Sequence, residues 1–298
     1  MTDANFERRV EQARQAYLLA CELELTAFKP GNVSIHSEGH DMTVEDFRQS
    51  ARVSAPFLTD ISLGMGERIY RAILATRETV SCNTNLGIVL LAAPLLGAFL
   101  GPKPTPFQKA VENLLMETSI EDAEWVYQAI RCANPAGLGE VAEADVSTPP
   151  GITLLQAMKL AAHRDSIARQ YSNSFAEVFQ TAVPLYDSRL SQGADEEWAV
   201  VAVYVRLLSM LTDSHIERKW GETCAQQVTA RMVELANRLD QAGTADTKLD
   251  VLRKADREFK SLGLNPGTTA DLTVATILAA KLQAETDKRE RGRDVTSK

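Results

Sequence analysis

Apolar residues recur at three- and four-residue steps along most of this chain, which is the spacing of one face of an α-helix. Examples are Val10, Ala13, Tyr17 and Ala20 near the N-terminus, and Cys224, Val228, Met232, Leu235 and Leu239 further on. No series of alternating strand-like segments and no repeat of fixed period accompanies them. The sequence therefore predicts an all-α fold. We expect one large multi-helix domain with long functional loops over residues 1–284, and a charged C-terminal tail over 285–298 that frays.

The charge balance limits the class of partner. The 298 residues include 32 Lys and Arg against 40 Asp and Glu, which gives a formal net charge of −8, and 45% of them are hydrophobic. This apolar content excludes intrinsic disorder. The acidic balance argues against a nucleic-acid polymer, because proteins that bind one present a basic surface. The net charge excludes a class of partner but suggests none; the polar clusters described below suggest a small nucleotide or another phosphorylated molecule.

Neither a membrane span nor a disulfide framework is predicted. The most apolar run, 88–100, has 13 residues and contains Pro94, whereas a helix needs about 20 apolar residues to cross a bilayer. We interpret this run as a helix buried in the core. The four cysteines are scattered and form no CxxC pair, which favours a cytoplasmic location. The apolar helices are also compatible with a homodimer.

Four segments interrupt the helical pattern, at 29–41, 101–106, 134–151 and 263–269. Long loops inside a compact domain are often functional. The first of these loops contains Lys29, Asn32, His36, His40 and Asp41. Lys29 and backbone N–H groups could bind a phosphate there, or Asp41 a divalent cation. The alternative is a polar surface loop that follows a Pro-Gly helix stop.

A second polar cluster, SCNTNLG, comes immediately before the buried run. It contributes Asn83, Thr84, Asn85 and Gly87. Small amide and hydroxyl side chains at a helix N-terminus can position an anion, which the helix dipole also favours. An ordinary capping segment would have the same composition, and both interpretations stay open.

Two acidic clusters lie nearer the C-terminus. In DSHIERKWG, Asp213 and Glu217 are four residues apart and share a helix face, where they could hold Mg²⁺ or supply a general base. A solvated helix end is the alternative, and a lone His215 is more often structural. In NPGTTADL, Thr268 and Asp271 match a capping box, which gives Asp271 a purely structural role.

Taken in order, these segments resemble the triphosphoribosyl-dephospho-CoA synthase family. The matching pieces are KPGNV, HSEGHDM, NTNLGIVLL, GLGE, DSHIERKWG and NPGTTADL, which together span about residues 28 to 280. The family is all-α, in agreement with the periodicity. One departure stands out, because the family pattern is NTHKG and this chain has Asn85 and Leu86 in place of its histidine and lysine.

The resemblance implies a transferase that uses ATP as a ribosyl donor. Adenine leaves, and a hydroxyl of 3′-dephospho-CoA attacks the anomeric carbon. The resemblance implies Mg²⁺ bound with the nucleotide, and Asp41, Asp213 and Glu217 as candidate metal ligands. The candidate catalytic residues are Asp41, Asp213 and Asp271. The candidate substrate- and phosphate-binding residues are Lys29, Asn32, His36, His40, Asn83, Thr84, Asn85, Gly87, Glu140, His215, Arg218 and Lys219.

Two other functions are consistent with the same residues. The Asn85-Leu86 pair motivates a divergent family member that helps to make a tetrahydromethanopterin- or furan-type one-carbon coenzyme. A helical nucleotide-binding or scaffold protein that has kept the fold and lost catalysis is the non-enzymatic alternative.

Overall fold

The chain folds into helices, as the periodicity predicts. The computed structural model describes residues 3–37, 39, 42–101, 106–135 and 145–296. These residues form fourteen α-helices and one π-helical segment (Val178–Ala182), and their only β-type pairings are two isolated bridges. The helices are α1 (Asp3–Thr26), α2 (Val44–Leu58), α3 (Met65–Thr79), α4 (Leu86–Leu100), α5 (Phe107–Met116), α6 (Ile120–Ala133), α7 (Leu154–Ala161), α8 (Ser166–Ser172), α9 (Val183–Ser191), α10 (Glu196–Met210), α11 (Ser214–Trp220), α12 (Glu222–Gln241), α13 (Ala245–Ser261) and α14 (Gly267–Thr296).

The most apolar run of the sequence forms the central helix of the fold. Every residue of α4 except Leu86 and Ala98 is buried. α4 packs against α14, α5 and α3, and α14 in turn packs against α1, α10 and α9. The prediction of a buried core helix is therefore confirmed. In the described part of the chain, no single helix is both long and apolar enough to cross a membrane, although the bent pair α10–α11 meets that test of length and composition.

A proline inside α4 is compensated by a tyrosine from another helix. Pro94 has no N–H, so the carbonyl of Leu90, four residues earlier, loses its intrahelical partner. The hydroxyl of Tyr171 on α8 donates a hydrogen bond to this carbonyl at 2.6 Å, and Tyr171 is fully buried. The bond thus satisfies a buried acceptor and fixes α8 against the centre of α4.

The segment after α1 is fastened to the C-terminal third of the chain. Gly31 adopts a left-handed conformation with φ of +81°, and its N–H donates to Asp256 Oδ1 on α13 at 2.9 Å. The Ser37 hydroxyl donates to Asp256 Oδ2 at 2.6 Å. The hydroxyl of Tyr204 on α10 donates to the carbonyl of Pro30 at 2.9 Å. These bonds hold the loop against α10 and α13.

Candidate functional site

One cavity of about 600 Å³ lies among the helices that carry the polar motifs. Part of its wall is apolar and comes from α6 and α7, which contribute Val126, Tyr127, Ile130, Leu154, Ala157, Met158 and Ala161. Much of the rest comes from the beginnings of α4, α8, α11 and α14 and from the loop after α1. The polar residues of that part are Asn32, Asn83, Thr84, Arg164, Asp165, His215, Glu217, Arg218, Asn265, Thr268 and Asp271.

Aspartate caps determine where two of these helices begin. Asp165 precedes α8 and accepts hydrogen bonds from the N–H groups of Ile167 and Ala168 at 2.9 and 3.0 Å. Its second carboxylate oxygen, Oδ2, is 2.8 Å from Nη1 of Arg218 on α11. Because N-cap carboxylates satisfy helical N–H groups that otherwise have no partner, Asp165 both starts α8 and joins it to α11 at the cavity wall.

Both carboxylate oxygens of Asp213 accept hydrogen bonds from the backbone or side chains of neighbouring helices. Its Oδ1 caps α11 by accepting from the N–H groups of His215 and Ile216 at 2.9 and 3.1 Å. Its Oδ2 accepts from the N–H and the hydroxyl of Thr269 on α14 at 2.7 and 2.8 Å. Burial raises the pKa of Asp213, and the bonds from Thr269 act in the opposite direction. The expected role in metal binding or catalysis is therefore not supported, because Asp213 lies outside the cavity wall and joins α11 to α14.

Asp271, unlike Asp213, lies in the cavity wall. It lies on the first turns of α14, faces the cavity, and forms no hydrogen bond or ion pair with any residue that the structure describes. Burial raises its pKa well above the usual range, and the nearby negative charges of Asp213 and Glu24 raise it further, while Arg218 lowers it. No capping-box bond joins it to Thr268, since α14 already begins at Gly267. The predicted capping role is wrong, and its carboxylate is available to a ligand.

A glycine makes room for this carboxylate. A Cβ atom on Gly87, in the first turn of α4, would lie 2.0 Å from Asp271 Oδ2 and 2.8 Å from the Cδ1 atom of Ile167. Both distances are far below van der Waals contact. The absence of a side chain at position 87 therefore lets the first turns of α4, α8 and α14 meet at one point of the cavity wall.

Lys29 is not at the cavity surface. It is fully buried, with its Nζ atom 2.9 Å from Glu24 Oε1 and donating to the carbonyl of Val33 at 2.8 Å. Burial lowers its pKa, and the charge of Glu24 raises it. The expectation that Lys29 contacts phosphate is not met, because its ammonium group is occupied inside the protein. The cations that do line the cavity are Arg164 and Arg218.

The other candidate residues divide into three groups. Asn32, Asn83, Thr84, Gly87, His215, Glu217 and Arg218 line the cavity together with Asp271. Three others do not line it. Asn85 is buried behind the wall and donates to Thr76 Oγ1 at 3.1 Å, His36 is exposed and stacks on Phe28, and Lys219 is exposed with its Nζ over the ring of Trp220. His40, Asp41 and Glu140 lie outside the described residues.

Sequence reasoning missed several residues of the wall. Glu24 lies within helix α1, Asn265 is in a turn, and Arg164 and Asp165 stand between α7 and α8. Asn265 begins the NPGTTADL motif but was not a candidate site residue, and the other three belong to no cluster of chemically distinctive residues, although Asp165 before a helix has the signature of an N-cap. Only the packing of distant helices brings these four residues to one cavity.

The described residues do not form a preassembled metal site. Among them, no group of three His, Cys, Asp or Glu side chains is arranged to hold a metal ion. Of the three expected ligands, Asp213 has both oxygens occupied and Asp41 is not described, so Glu217 is the one that lines the cavity. Asp271 adds another carboxylate to the wall, with no hydrogen bond or ion pair to a described residue. Mg²⁺ that arrives with a triphosphate needs only one or two protein carboxylates.

Comparisons with known proteins agree with the geometry. The family model for ATP:dephospho-CoA triphosphoribosyl transferase matches residues 10–290 of the chain. Among solved structures, the chain is similar to a protein from Archaeoglobus fulgidus that is designated a candidate triphosphoribosyl-dephospho-CoA synthase. The two are 26% identical, with a TM-score of 0.58, and the alignment covers 78% of this chain and 96% of the other.

Proposed function

This chain belongs to the ATP:dephospho-CoA triphosphoribosyl transferase family, and on that premise we propose that its cavity binds ATP and 3′-dephospho-CoA and transfers the triphosphoribosyl group between them. The observation that carries the assignment of the site is the free carboxylate of Asp271 at the meeting point of α4 and α14, with Arg218 close by. The comparisons do not favour a one-carbon coenzyme enzyme or a non-catalytic scaffold.

The reaction breaks the bond between adenine and the anomeric carbon of ATP, and a hydroxyl of the acceptor forms a new bond to that carbon. The proton of the attacking hydroxyl leaves with a base, and the adenine that departs takes up a proton. A carboxylate near the anomeric carbon can accept the proton and stabilise the positive charge that develops there. Asp271 is the candidate for both tasks, because no described residue engages its oxygens.

The triphosphate fits the part of the wall where the helices begin. The first turns of α4 and α14 lie there, and the positive ends of helix dipoles favour anions. Arg164 and Arg218 add two cationic side chains. Asn83 and Thr84 supply short polar groups at the start of α4. This arrangement supports a small polyanion as ligand in a protein whose net charge is −8.

Mg²⁺ is part of the proposal as a companion of the nucleotide. Glu217 would hold it, since it lines the cavity and Asp271 is assigned to the base. When bound, the ion neutralises charge on the triphosphate.

We also place the enzyme in the cytoplasm, on the ground that its four cysteines are free thiols, and retain the homodimer as a prediction.

The test is release of adenine from ATP, with Mg²⁺ and 3′-dephospho-CoA present. We expect adenine and the adduct in equal amounts, and loss of at least about 100-fold in rate for Asp271→Asn. Asp240→Asn, an exposed aspartate on α12, is the matched control and should keep the wild-type rate. Absence of adenine release from folded wild-type protein would refute the reaction. Full activity of Asp271→Asn would refute the assigned base alone.

A further inference from the structure

Two asparagines from opposite parts of the chain form a pair on the cavity wall. The Nδ2 atom of Asn32, in the loop after α1, donates to Oδ1 of Asn265, in the turn before α14, at 2.9 Å. Both side chains line the cavity and are more than nine-tenths buried. We refer to these two residues as the amide pair.

The backbone holds the amide pair in place before any ligand arrives. Gly31 packs so closely on the turn of Asn265 that a Cβ there would lie 3.0 Å from Phe259 Cβ and 3.0 Å from Pro266 Cδ. A side chain at position 31 would therefore push the two segments apart. The bond from the Gly31 N–H to Asp256 fixes the same contact from the other side. Preorganised polar groups of this kind lose little entropy on binding a ligand.

The bond within the pair leaves hydrogen-bonding capacity unused. Each amide has one carbonyl and one amino group, and the mutual bond engages the amino group of Asn32 and the carbonyl of Asn265. The carbonyl of Asn32 and the amino group of Asn265 have no partner among the described residues, and both side chains border the cavity. The pair thus has one acceptor and one donor left to offer a ligand.

We infer that the amide pair binds the edge of an adenine base, with one amide carbonyl accepting from the 6-amino group and one amide amino group donating to the neighbouring ring nitrogen. Adenine presents an amino donor beside a ring-nitrogen acceptor on the edge that carries its 6-amino group, and asparagine is a common partner for this pattern. This inference rests on the proposed function, whose two substrates both carry adenine. If the base belongs to ATP, the bond to the ring nitrogen also stabilises negative charge on the departing adenine.

The first test uses the wild-type protein and needs no mutation. Binding of ATP is compared with binding of purine ribonucleoside triphosphate, which lacks the 6-amino group, by titration calorimetry without acceptor. The same comparison is made for 3′-dephospho-CoA and its analogue without the 6-amino group. A site that binds an amino group rejects the analogue that lacks it, so we expect affinity to fall at least about tenfold for one of the two ligands. The ligand that shows the loss identifies whose adenine the pair binds.

The second test asks whether the loss depends on the amide pair. In Asn32→Ala the parent ligand should bind at least about tenfold more weakly, and the amino group should no longer matter. Asn265→Asp keeps the shape but removes the donor, so it should weaken both compounds. Asn237→Ala, on the exposed face of α12, is the control and should behave as wild type.

The outcomes separate the two proposals. Wild-type protein that binds ATP and releases adenine, yet is indifferent to the 6-amino group in both ligands, would overturn the role of the amide pair and leave the reaction intact. A loss that persists unchanged in a folded Asn32→Ala protein would also overturn it. Failure of the wild type to bind ATP or dephospho-CoA at all would overturn both proposals.

Discussion

The Oδ2 atom of Asp271 occupies the space that a side chain at Gly87 would fill, with 2.0 Å between that atom and the position of a Cβ. The two residues lie in the N-terminal turns of α4 and α14, and both line the cavity. The carboxylate of Asp271 thus lies against the first turn of α4 without accepting a hydrogen bond from a described residue of that turn. This contact links the identity of residue 87 to the position of the proposed base.

Replacement of Gly87 by alanine should move that carboxylate. We expect Gly87→Ala to lower the rate of adenine release by about 100-fold or more, since a shift of about 1 Å in a catalytic group has effects of this size. Gly243→Ala is the control, because a Cβ there meets nothing within 4 Å. The prediction is tested by measuring the rate of adenine release for both variants, with thermal unfolding to confirm that each is folded. Wild-type activity in Gly87→Ala would contradict the proposed geometry.

The stability of the protein should depend on pH through Asp271. Burial raises the folded-state pKa of this carboxyl, and Asp213, Glu24 and Asp165 raise it further against the opposing charge of Arg218. The folded protein therefore retains a proton that the unfolded chain releases near its ordinary pKa of 3.8. By linkage, the contribution of Asp271 to the free energy of unfolding falls as pH rises from that value through the folded pKa.

Asp271→Asn removes this titration. The variant should be more stable than wild type at neutral pH, and the difference should shrink on acidification towards the ordinary pKa of aspartate. Urea unfolding of both proteins at a series of pH values measures it. A difference that stays constant with pH would show that the carboxyl has an unshifted pKa.

Asp213 should matter for stability more than an ordinary helix cap. It makes four hydrogen bonds that join α11 to α14, whereas Asp195, the cap of α10, accepts one, from the N–H of Trp198. We expect Asp195→Ala to cost about 1 kcal/mol and Asp213→Ala about 3 kcal/mol or more, because buried donors are then left without partners. Denaturant unfolding compares the two. Equal costs would contradict the tethering role.

The hydroxyl of Tyr171 should be worth more than that of another tyrosine. Tyr171→Phe leaves the Leu90 carbonyl with no donor, since Pro94 cannot supply one, and should cost about 1 to 3 kcal/mol. Tyr70, half-buried against Trp125 with no hydrogen bond to a described residue, is the control. Its replacement by Phe should change the free energy of unfolding by less than about 0.5 kcal/mol.

Lys29 should be required for folding and not for ligand binding. Lys29→Met leaves Glu24 as a buried carboxyl without its cation, which should cost about 3 to 5 kcal/mol, and the additional change Glu24→Gln should recover much of this loss. Thermal unfolding of the single and double variants tests the prediction. A double variant that is stable but has lost affinity for triphosphate would instead show that Lys29 takes part in ligand binding.

The sequence is most informative where one physical requirement dominates. The run at 88–100 is too apolar to lie anywhere except in the core, and α4 is there. The roles of Asp213 and Asp271 are harder to predict, since an N-cap, a metal ligand and a general base all require the same carboxylate side chain. Asp213 looks like a catalytic carboxylate and is a tether, while Asp271 looks like a capping acid and faces the cavity. The difference arises from which helix each one meets across the fold, and local sequence does not contain that information.

Local sequence also does not show which cationic side chains line the cavity. Lys29 belongs to a conspicuous motif and is buried against Glu24, whereas Arg164 belongs to none and lines the cavity. A dense cluster of polar and charged residues indicates that a segment has a specific role. It does not distinguish requirements of folding from those of chemistry, because buried ion pairs and binding sites use the same charged groups.

The position of α14 has a consequence for biosynthesis. This helix packs on α1 and α4, and its first turns, at residues 267–271, complete the cavity wall. A ribosome adds about 5 to 20 residues per second, so the earlier helices emerge well before the one that completes the site. Until then the apolar surface of α4 lacks a major partner and is open to wrong association. The nascent chain therefore cannot bind its nucleotide until α14 has docked on the earlier helices.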